Sequence, residues 1–445
     1  MARKRTENAS LTRTGYKKIM HIALPAMAEN FLQMLMNMVD SYLVASLGLV
    51  AISGVSVAGN IITIYQAIFI ALGAAISSLI SKALGQGDQD SLAYHATESL
   101  KLTLLLSLVL GLISLFWGRE LLGLLGTEAA VAQAGGLFLS LVGGTIIFLG
   151  MMTTLGALVR VTHNPRIPMY VSLLTNILNI IFSSLAIFLF HWGIVGVALG
   201  TILARLVGVI LLWRELTLPF AKWTWSLDKE LLKLSLPAAG ERLMMRAGDV
   251  VIIAMVVQFG TDVVAGNAIG EVLSQFDLVP SFGVATATVM LVAHAFGQND
   301  WQTIRQLTRQ SYYLAFVSML PLALAVFLFG QPLTLLFTDN SGAVTASLSV
   351  ILFSLLGVPM TAGTLIYTAL WQGLGNAKLP FYATTIGMWL IRIVLGYLLG
   401  VTLGLGLPGV WTGTLVDNGF RWLFLQRLYS RKMKKLNGTL DEEKT

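Results

Sequence analysis

The chain has 445 residues, of which 56% are hydrophobic and 11% are charged, and its mean hydropathy is +0.78. Soluble domains contain about 25% charged residues, so this composition excludes a soluble globular protein and indicates a polytopic membrane protein. The net charge of +7 does not indicate a nucleic-acid partner, because the basic residues lie at the ends of apolar runs. Cysteine is absent, so we expect neither disulfides nor a thiolate metal site.

Twelve apolar runs predict membrane-spanning α-helices, since a span needs about 20 mainly apolar residues. The runs are continuous and lack the alternating pattern of a β-barrel. In the first half they cover 17–46, 51–83, 91–117, 129–159, 166–190 and 193–215; in the second half they cover 229–259, 263–295, 302–329, 343–373, 379–402 and 408–429. Lys and Arg are concentrated in alternate loops and at both termini, which predicts that both termini are cytoplasmic.

The two halves repeat each other at a constant distance in the sequence. Three matching pairs have the same separation, and a fourth pair is separated by one residue more: Pro25 with Pro237, Asp88 with Asp300, Asn164 with Asn376, and Gly200 with Gly413. Six spans per half is an even number, so the halves share one orientation and are predicted to be related by a pseudo-two-fold axis along the membrane normal. Parallel repeats of this kind are typical of transporters whose substrate site lies near the bilayer midplane.

The repeat also predicts the domain organisation. We expect a cytoplasmic tail at 1–16, an N-lobe at 17–215, a cytoplasmic linker at 216–228, a C-lobe at 229–430 and a second cytoplasmic tail at 431–445.

The first span carries an acid, Asp40, well inside its apolar run. An ionisable group at that depth costs about 2.5–3.5 kcal/mol on insertion scales, so we interpret it as functional rather than as a polar helix contact. Helical spacing places four residues on its face: Gln33, Met36, Asn37 and Val44. A face of amides and methionine suits the binding of varied aromatic cations better than contact with lipid.

Neutral polar residues in the second and fifth spans are further candidates for lining a substrate site. They are Asn60, Thr63, Tyr65, Asn176 and Asn179. The alternative is that they only hold helices together through hydrogen bonds.

Pro25 precedes Asp40 in the first span and predicts a bend, which is either a static kink or a hinge. Glu29 has a repeat mate in Glu241, which favours a structural role for both at least as much as a transport role.

The seventh and eighth spans hold six charged residues: Glu241, Arg242, Arg246, Asp249, Glu271 and Asp277. Because both signs are present, the economical interpretation is an ionic network, and the alternative is a second coupling or substrate site. Arg205, Arg392, Asp417 and Arg421 also fall within or near spans, and the sequence leaves their partners open.

No nucleotide-binding loop, HExxH pattern or Gly-x-Ser-x-Gly pattern occurs in the chain. Their absence argues against an ATPase, an intramembrane protease or a lipase, so we expect no catalytic residues and no enzyme activity.

Several of these features resemble the multidrug and toxic compound extrusion (MATE) transporters: the six-plus-six repeat, Pro25 followed by Asp40, the loop at 85–88 and the segment GLGNAKLP at 373–380. The chain looks most like the DinF-type branch. The resemblance implies an antiporter of the bacterial cytoplasmic (inner) membrane that exports organic cations in exchange for protons or sodium. It also implies a monomer whose partners are small organic cations and membrane lipid, with no cofactor and no nucleic acid.

The chain departs from this family's sodium-linked members, which carry a Glu in the seventh span and an Asp in the tenth. Arg246 stands where that Glu is expected, and the span 343–373 contains no acid. These departures favour a proton over sodium as the coupling ion, with Asp40 as the carboxylate that proton and substrate share.

Three alternatives remain open. One is a sodium-coupled drug antiporter. The second is a flippase for lipid-linked oligosaccharides, which would use Arg242, Arg246 and Arg392 to hold a diphosphate. The third is an integral membrane enzyme, which the missing motifs disfavour.

Overall fold

A computed structural model of the protein describes residues 2–124, 126–224 and 226–442, with side chains described between residues 15 and 436 of these ranges. All regular secondary structure in them is helical. The helices are α1 (Ala2–Ala45), α2 (Leu49–Gln86), α3 (Gln89–Leu124), α4 (Ala129–Phe138), α5 (Ile147–Thr162), α6 (Arg166–Ser184), α7 (Gly193–Arg214), α8 (Lys229–Val257), α9 (Thr261–Gly297), α10 (Trp301–Leu328), α11 (Gly330–Leu335), α12 (Ser341–Gly373), α13 (Lys378–Thr385), α14 (Ile393–Gly396) and α15 (Gly406–Glu442).

Four wider π-helical turns interrupt or extend these helices, at Leu139–Gly143, Leu185–Leu189, Ile386–Arg392 and Tyr397–Thr402. The first lies between α4 and α5, which are bent relative to each other by 43°. The predicted span 129–159 is therefore broken near its middle, whereas 166–190 and 379–402 continue through their π-helical turns. Such turns occur frequently at functional sites, although sequence periodicity does not reveal them.

Eight helical runs of the described chain are long and apolar enough to cross a membrane, or nine if the bent pair α4–α5 counts as one span. The other three predicted spans lie in α1, α8 and α15. These three helices contain intramembrane charges, including Asp40, Arg246 and Asp417. Charged residues lower the hydropathy of a helix that otherwise has the length of a span, which explains why composition alone does not identify them.

Contacts divide the chain into two units. The first contains residues 1–23, 240–292 and 300–445, and the second contains residues 24–239 and 293–299. The division within α1 falls next to Pro25, where the helix lacks a backbone N–H donor.

In the second unit, α6 and α7 approach each other closely through small residues. A Cβ atom at Gly200 of α7 would lie 2.5 Å from the Ser183 hydroxyl oxygen of α6, so only glycine fits there. This contact brings the polar side chains of both helices together. In membrane helices, small residues at an interface permit such close packing.

The ends of α2 and α9 also cross closely in the second unit, and they do so at equivalent positions of the repeat. A Cβ at Gly85 would lie 2.1 Å from the His294 carbonyl oxygen, and a Cβ at Gly297 would lie 2.3 Å from the Lys82 carbonyl oxygen. Gly85 and Gly297 are repeat mates with the same separation as Pro25 and Pro237, and so are Lys82 and His294. The contact of Gly85 with the His294 carbonyl is therefore equivalent, by the repeat, to the contact of Gly297 with the Lys82 carbonyl.

In the first unit, α9 and α12 run side by side in the same direction. Gly266 packs on Ala343, Asp277 contacts Ser354, and Val292 packs on Gly373. The contact therefore continues along most of both helices.

Candidate functional site

Asp40 of α1 lies against α6, and Asn179 is its principal partner. The Asn179 side-chain nitrogen donates to both carboxylate oxygens of Asp40, at 3.1 Å and 3.4 Å, and also contacts the Met36 sulfur at 3.7 Å. Asp40 is half-buried and Asn179 is buried. A neutral amide donor stabilises the carboxylate without neutralising it, so the negative charge remains available to a ligand.

Two hydroxyls fix the orientation of Asn179. Its side-chain oxygen accepts hydrogen bonds from Ser183 at 3.0 Å and from Thr201 at 3.4 Å. Ser183 lies one turn further along α6, and Thr201 lies on α7 beside Gly200. Thr201 also donates to the Val197 carbonyl at 3.1 Å, so Ser183 is the closer donor to the Asn179 oxygen. The nitrogen faces Asp40, and α6 and α7 together orient the amide.

A positive charge also acts on Asp40. Arg205, one turn beyond Thr201 on α7, attracts the Asp40 carboxylate through its charge, whereas Asn179 acts through a hydrogen bond. The sequence left the partner of Arg205 open. The four-residue spacing places Arg205 on the same face of α7 as Thr201. It would have predicted the interaction with Asp40 only if that face of α7 were already known to lie toward Asp40.

The predicted face of α1 is only partly gathered around Asp40. Met36 and Val44 are buried within the unit, Gln33 is half-buried and Asn37 is exposed. Met36 is the member that joins Asp40 at Asn179.

The remaining candidates of the second and fifth spans fall into different surroundings. Asn176 lies one turn before Asn179, and its side-chain nitrogen is buried without a hydrogen-bond acceptor among the described residues. Asn60 is exposed, and the exposed Thr63 donates to the Gly59 carbonyl of its own helix. Tyr65 is buried and accepts a hydrogen bond from Ser114 of α3 at 3.0 Å. Asn176 is therefore the candidate with an unused donor on the face of α6 that carries Asn179.

Glu29 forms an ion pair with Arg160 of α5. The pair connects α1 to α5 within the second unit, on the turn that follows Pro25. This pairing gives Glu29 a structural partner, in line with the structural interpretation of its repeat.

In the first unit, a buried ionic cluster is centred on Asp417 of α15. Its carboxylate is fully buried and accepts two hydrogen bonds from Arg421, at 2.9 Å and 3.0 Å. Arg392 forms an ion pair with the same carboxylate, with its Nε atom 3.1 Å from an oxygen. The Nε–H bond does not point at that oxygen, so the contact is not a hydrogen bond. The sequence noted these three residues without joining them, although the four-residue spacing of Asp417 and Arg421 was a usable signal.

The six charged residues predicted as an ionic network are only partly brought together. Asp249 is the link to the buried cluster: it lies 3.7 Å from Arg392 and 3.8 Å from Arg246, and it is 39% exposed. Glu241 accepts from Thr384 at 3.2 Å and interacts electrostatically with Arg242.

The two acids of α9 have neutral partners. Asn267 donates to Glu271 at 2.9 Å, and Ser354 donates to Asp277 at 2.9 Å. Glu271 still interacts electrostatically with Asp249 and Arg392, whereas Asp277 has no such interaction within the described part of the chain. The structure therefore separates Asp277 from the arginines.

The predicted linker is held on α3 by a polar cluster that the sequence did not identify. Asp228 accepts from His95 at 2.6 Å, and its backbone N–H donates to Glu98 at 3.0 Å. Lys101 donates to Glu98 and to the Thr224 carbonyl. Burial alone would raise the pKa of Asp228, but the hydrogen bond and charge of His95, together with backbone N–H groups, hold it below its usual value.

No cluster of His, Asp and Glu residues that could hold a metal occurs in the part of the chain that the structure describes. The Asp40 site offers a carboxylate, an amide and a thioether, which can bind an organic cation or exchange a proton.

A family model described as MatE matches residues 25–185 and again 237–398. The two matches begin at Pro25 and at its repeat mate Pro237, which confirms the internal repeat. Together they cover more than half of the chain.

Curated relatives extend over nearly the full chain. A protein named "Probable multidrug resistance protein NorM" from Thermotoga maritima is 27% identical, with 91% of this chain and 90% of the relative covered. "Uncharacterized transporter YisQ" from Bacillus subtilis is 25% identical, with 92% and 93% covered. Neither name refers to the DinF-type branch, which stays a prediction.

A solved structure described as "Crystal structure of MATE in the straight conformation" superposes with a TM-score of 0.88 at 21% identity, covering 95% of this chain and 97% of that one. This likeness confirms the all-α fold of a twelve-helix transporter. Members of the family are membrane transporters and not enzymes, which confirms that expectation as well. The repeat, the helical fold and the family model together show that the chain belongs to the MATE family of transporters.

Proposed function

We propose that the protein exports organic, mainly cationic aromatic compounds in exchange for protons, and that Asp40 is the carboxylate for which substrate and proton compete. Relatives named as a multidrug resistance protein and as a multidrug export protein support efflux of varied compounds. The observation that carries the proposal is the partly accessible Asp40 carboxylate, which is held by the neutral donor Asn179.

Competition at one carboxylate is sufficient for antiport. Ionised Asp40 attracts a cationic ring system, and Met36, one turn away on the same helix face, supplies a soft and adaptable side chain. A proton arriving from the acidic exterior neutralises Asp40 and removes the attraction. Since each ligand weakens the binding of the other, inward movement of protons drives outward movement of substrate.

The kinds of atom around Asp40 support a proton rather than sodium as the ion that it binds. Sodium, as a hard cation, prefers several oxygen ligands, whereas a proton needs one. The described group that donates to the Asp40 carboxylate is the Asn179 nitrogen, and the nearby oxygens of Asn179, Ser183 and Thr201 are already joined to one another by hydrogen bonds. Arg205 contributes a positive charge and no oxygen ligand to these surroundings.

Flippase activity has less support than export of cations. The arginines that would hold a diphosphate include Arg392, and Arg392 together with Arg421 is already engaged by the buried Asp417. Arg246 is the more exposed arginine of this region, and Asp249 lies beside it.

The test is efflux of a fluorescent cationic dye from proteoliposomes that contain the purified protein. In sodium-free buffer, a pH gradient should drive efflux by the wild type, and Asp40→Asn should abolish it while the variant still elutes as a folded monomer. Asp249→Asn is the matched control, because it removes an acid at comparable exposure from the other unit. Efflux that persists in Asp40→Asn, or that requires sodium, would contradict the proposal.

A further inference from the structure

In the second unit, the linker covers one face of α3. The Ala221 N–H donates to the Thr97 hydroxyl at 2.9 Å, and the Lys101 side chain, one turn further along α3, donates to the Thr224 carbonyl at 2.9 Å. Thr97 and Lys101 are both buried. This face of the third helix of the repeat is therefore a docking face.

The equivalent face of α10 in the first unit is exposed. Arg309 and Tyr313 are the repeat mates of Thr97 and Lys101, with the separation that relates most of the two halves. Tyr313 is 45% exposed, and the guanidinium carbon of the exposed Arg309 lies 5.7 Å from the centre of its ring. Arg305, one turn earlier, is exposed as well. A face that the linker covers in one half of the repeat is thus open in the other half and positively charged.

The helix α15 lies antiparallel to α10. Tyr312 of α10 stacks on Trp422 of α15, with ring centroids 5.3 Å apart. Nearer to the start of α10, Trp301 contacts the Lys432 ammonium at 5.2 Å, nearer to the end of α15. In an antiparallel pair, the residues that follow the two contact positions by one lie on the same side, because each helix turns by about 100° per residue.

Tyr313 and Leu423 are the residues that follow this stacked pair, and they are 45% and 44% exposed. One turn from each of them, toward the same end of the helix pair, stands an exposed arginine: Arg309 on α10 and Arg427 on α15. Arg431 continues the exposed stripe on α15. Both helices therefore present an aromatic or apolar outer surface that becomes basic toward the end of the span.

These arginines have no carboxylate to balance them nearby. Asp300, the acid closest to Arg309 in the sequence, caps the start of α10. Asp417, the acid closest to Arg427, is fully buried in the ionic cluster of α15. Among the described residues no ion pair includes Arg309 or Arg427. The charge of this surface is available to an anion from outside the chain.

We propose that an anionic phospholipid binds along α10 and α15, with its phosphate held by Arg309 and Arg427 and its acyl chains lying on Tyr313 and Leu423. Clusters of basic residues at the ends of membrane helices attract anionic headgroups. An acidic protein segment would use only the arginines, whereas the exposed aromatic and apolar residues in line with them match acyl chains. The lipid occupies on α10 the face that the linker occupies on α3. The surface does not include Asp40, so the proposal does not rest on proton exchange.

The test is equilibrium binding of lipid to delipidated, full-length protein in nonionic detergent, measured by native mass spectrometry. Phosphatidylglycerol is compared with phosphatidylcholine of identical acyl chains, and the wild type should bind phosphatidylglycerol at least about tenfold more tightly. Arg309→Gln combined with Arg427→Gln should weaken phosphatidylglycerol binding about 25-fold, because each basic residue contributes about fivefold, and should leave phosphatidylcholine binding unchanged. Arg214→Gln is the matched control, because Arg214 is the exposed repeat mate of Arg427 at the end of α7, and it should bind as the wild type does.

Three results would overturn the proposal. Equal affinities of the wild type for the two lipids would exclude recognition of the headgroup charge. A preference for phosphatidylglycerol that survives in the double variant, or that Arg214→Gln loses equally, would place the lipid elsewhere. If the double variant does not fold, the single variants Arg309→Gln and Arg427→Gln decide: each should weaken phosphatidylglycerol binding about fivefold, and unchanged affinity in both refutes the assignment.

Discussion

Replacing Asp417 by asparagine should destabilise the protein far more than any other single loss of an acid in the first unit. Asp417 is fully buried between Arg421 and Arg392, whose side chains are only 5% and 11% exposed. Asp417→Asn keeps the shape but removes the ion-pair partner of the buried Arg421 and leaves Arg392 with only the half-buried Asp249, 3.7 Å away. Removal of one partner from a buried ion pair costs about 3–5 kcal/mol, so the unfolding equilibrium should shift by about 150-fold or more.

The assay is reversible unfolding in mixed micelles, followed by tryptophan fluorescence, with Asp249→Asn as the control. Asp249 is 39% exposed and its arginine distances are 3.7 Å and 3.8 Å, so its loss should cost about 1 kcal/mol or less. Adding Arg421→Gln to Asp417→Asn should recover part of the lost stability, because one uncompensated charge disappears. Equal stabilities of Asp417→Asn and Asp249→Asn would refute this account of the buried cluster.

Three further predictions concern the second unit. Asn179→Leu should weaken dye binding about tenfold or more, because a hydrogen bond to a charged group contributes about 1.5–3 kcal/mol. Equilibrium titration with the dye measures the affinity, and an unchanged affinity would show that Asn179 does not orient Asp40. Gly85→Val should lower the free energy of unfolding by about 1–3 kcal/mol, since even a Cβ atom would lie 2.1 Å from the His294 carbonyl oxygen. A variant as stable as the wild type would contradict the close crossing of α2 and α9. The pKa of Asp228 is lowered in the native protein, so docking of the linker on α3 should be fully stabilised above pH 3.8, the ordinary pKa, and should weaken as the pH falls through the lower native pKa. Hydrogen exchange measures this, because the linker amides should exchange faster at the lower pH. In Asp228→Asn they should exchange fast already at neutral pH, and slow exchange there would show that the His95 contact does not anchor the linker.

Sequence patterns predicted the helical fold well because hydropathy and repeat spacing depend on local composition. The runs 51–83 and 263–295 lie within α2 and α9, and the separation of Pro25 from Pro237 reappears as the separation between the starts of the two family-model matches. The π-helical turns and the 43° bend between α4 and α5 were not predictable, because they depend on how neighbouring helices pack and not on periodicity.

The candidate site was predictable as far as one residue and its own helix. Asp40 stood out by its depth in an apolar run, and Met36 by helical spacing. The donor of its hydrogen bonds, Asn179, was one of several neutral polar candidates, and only the packing of α6 on α1 distinguishes it from Asn60. The charge of Arg205 was unassigned for the same reason, since pairing across helices is a tertiary property.

The most direct test of the central claim measures protons released when substrate binds. A cationic dye is added to purified protein in weakly buffered detergent solution, and the pH change is recorded with a soluble indicator. Competition at Asp40 predicts proton release in the wild type and in Asp249→Asn, and none in Asp40→Asn. Equal release from the wild type and Asp40→Asn, or saturating dye binding by the wild type without any release across the pH range of transport, would contradict it.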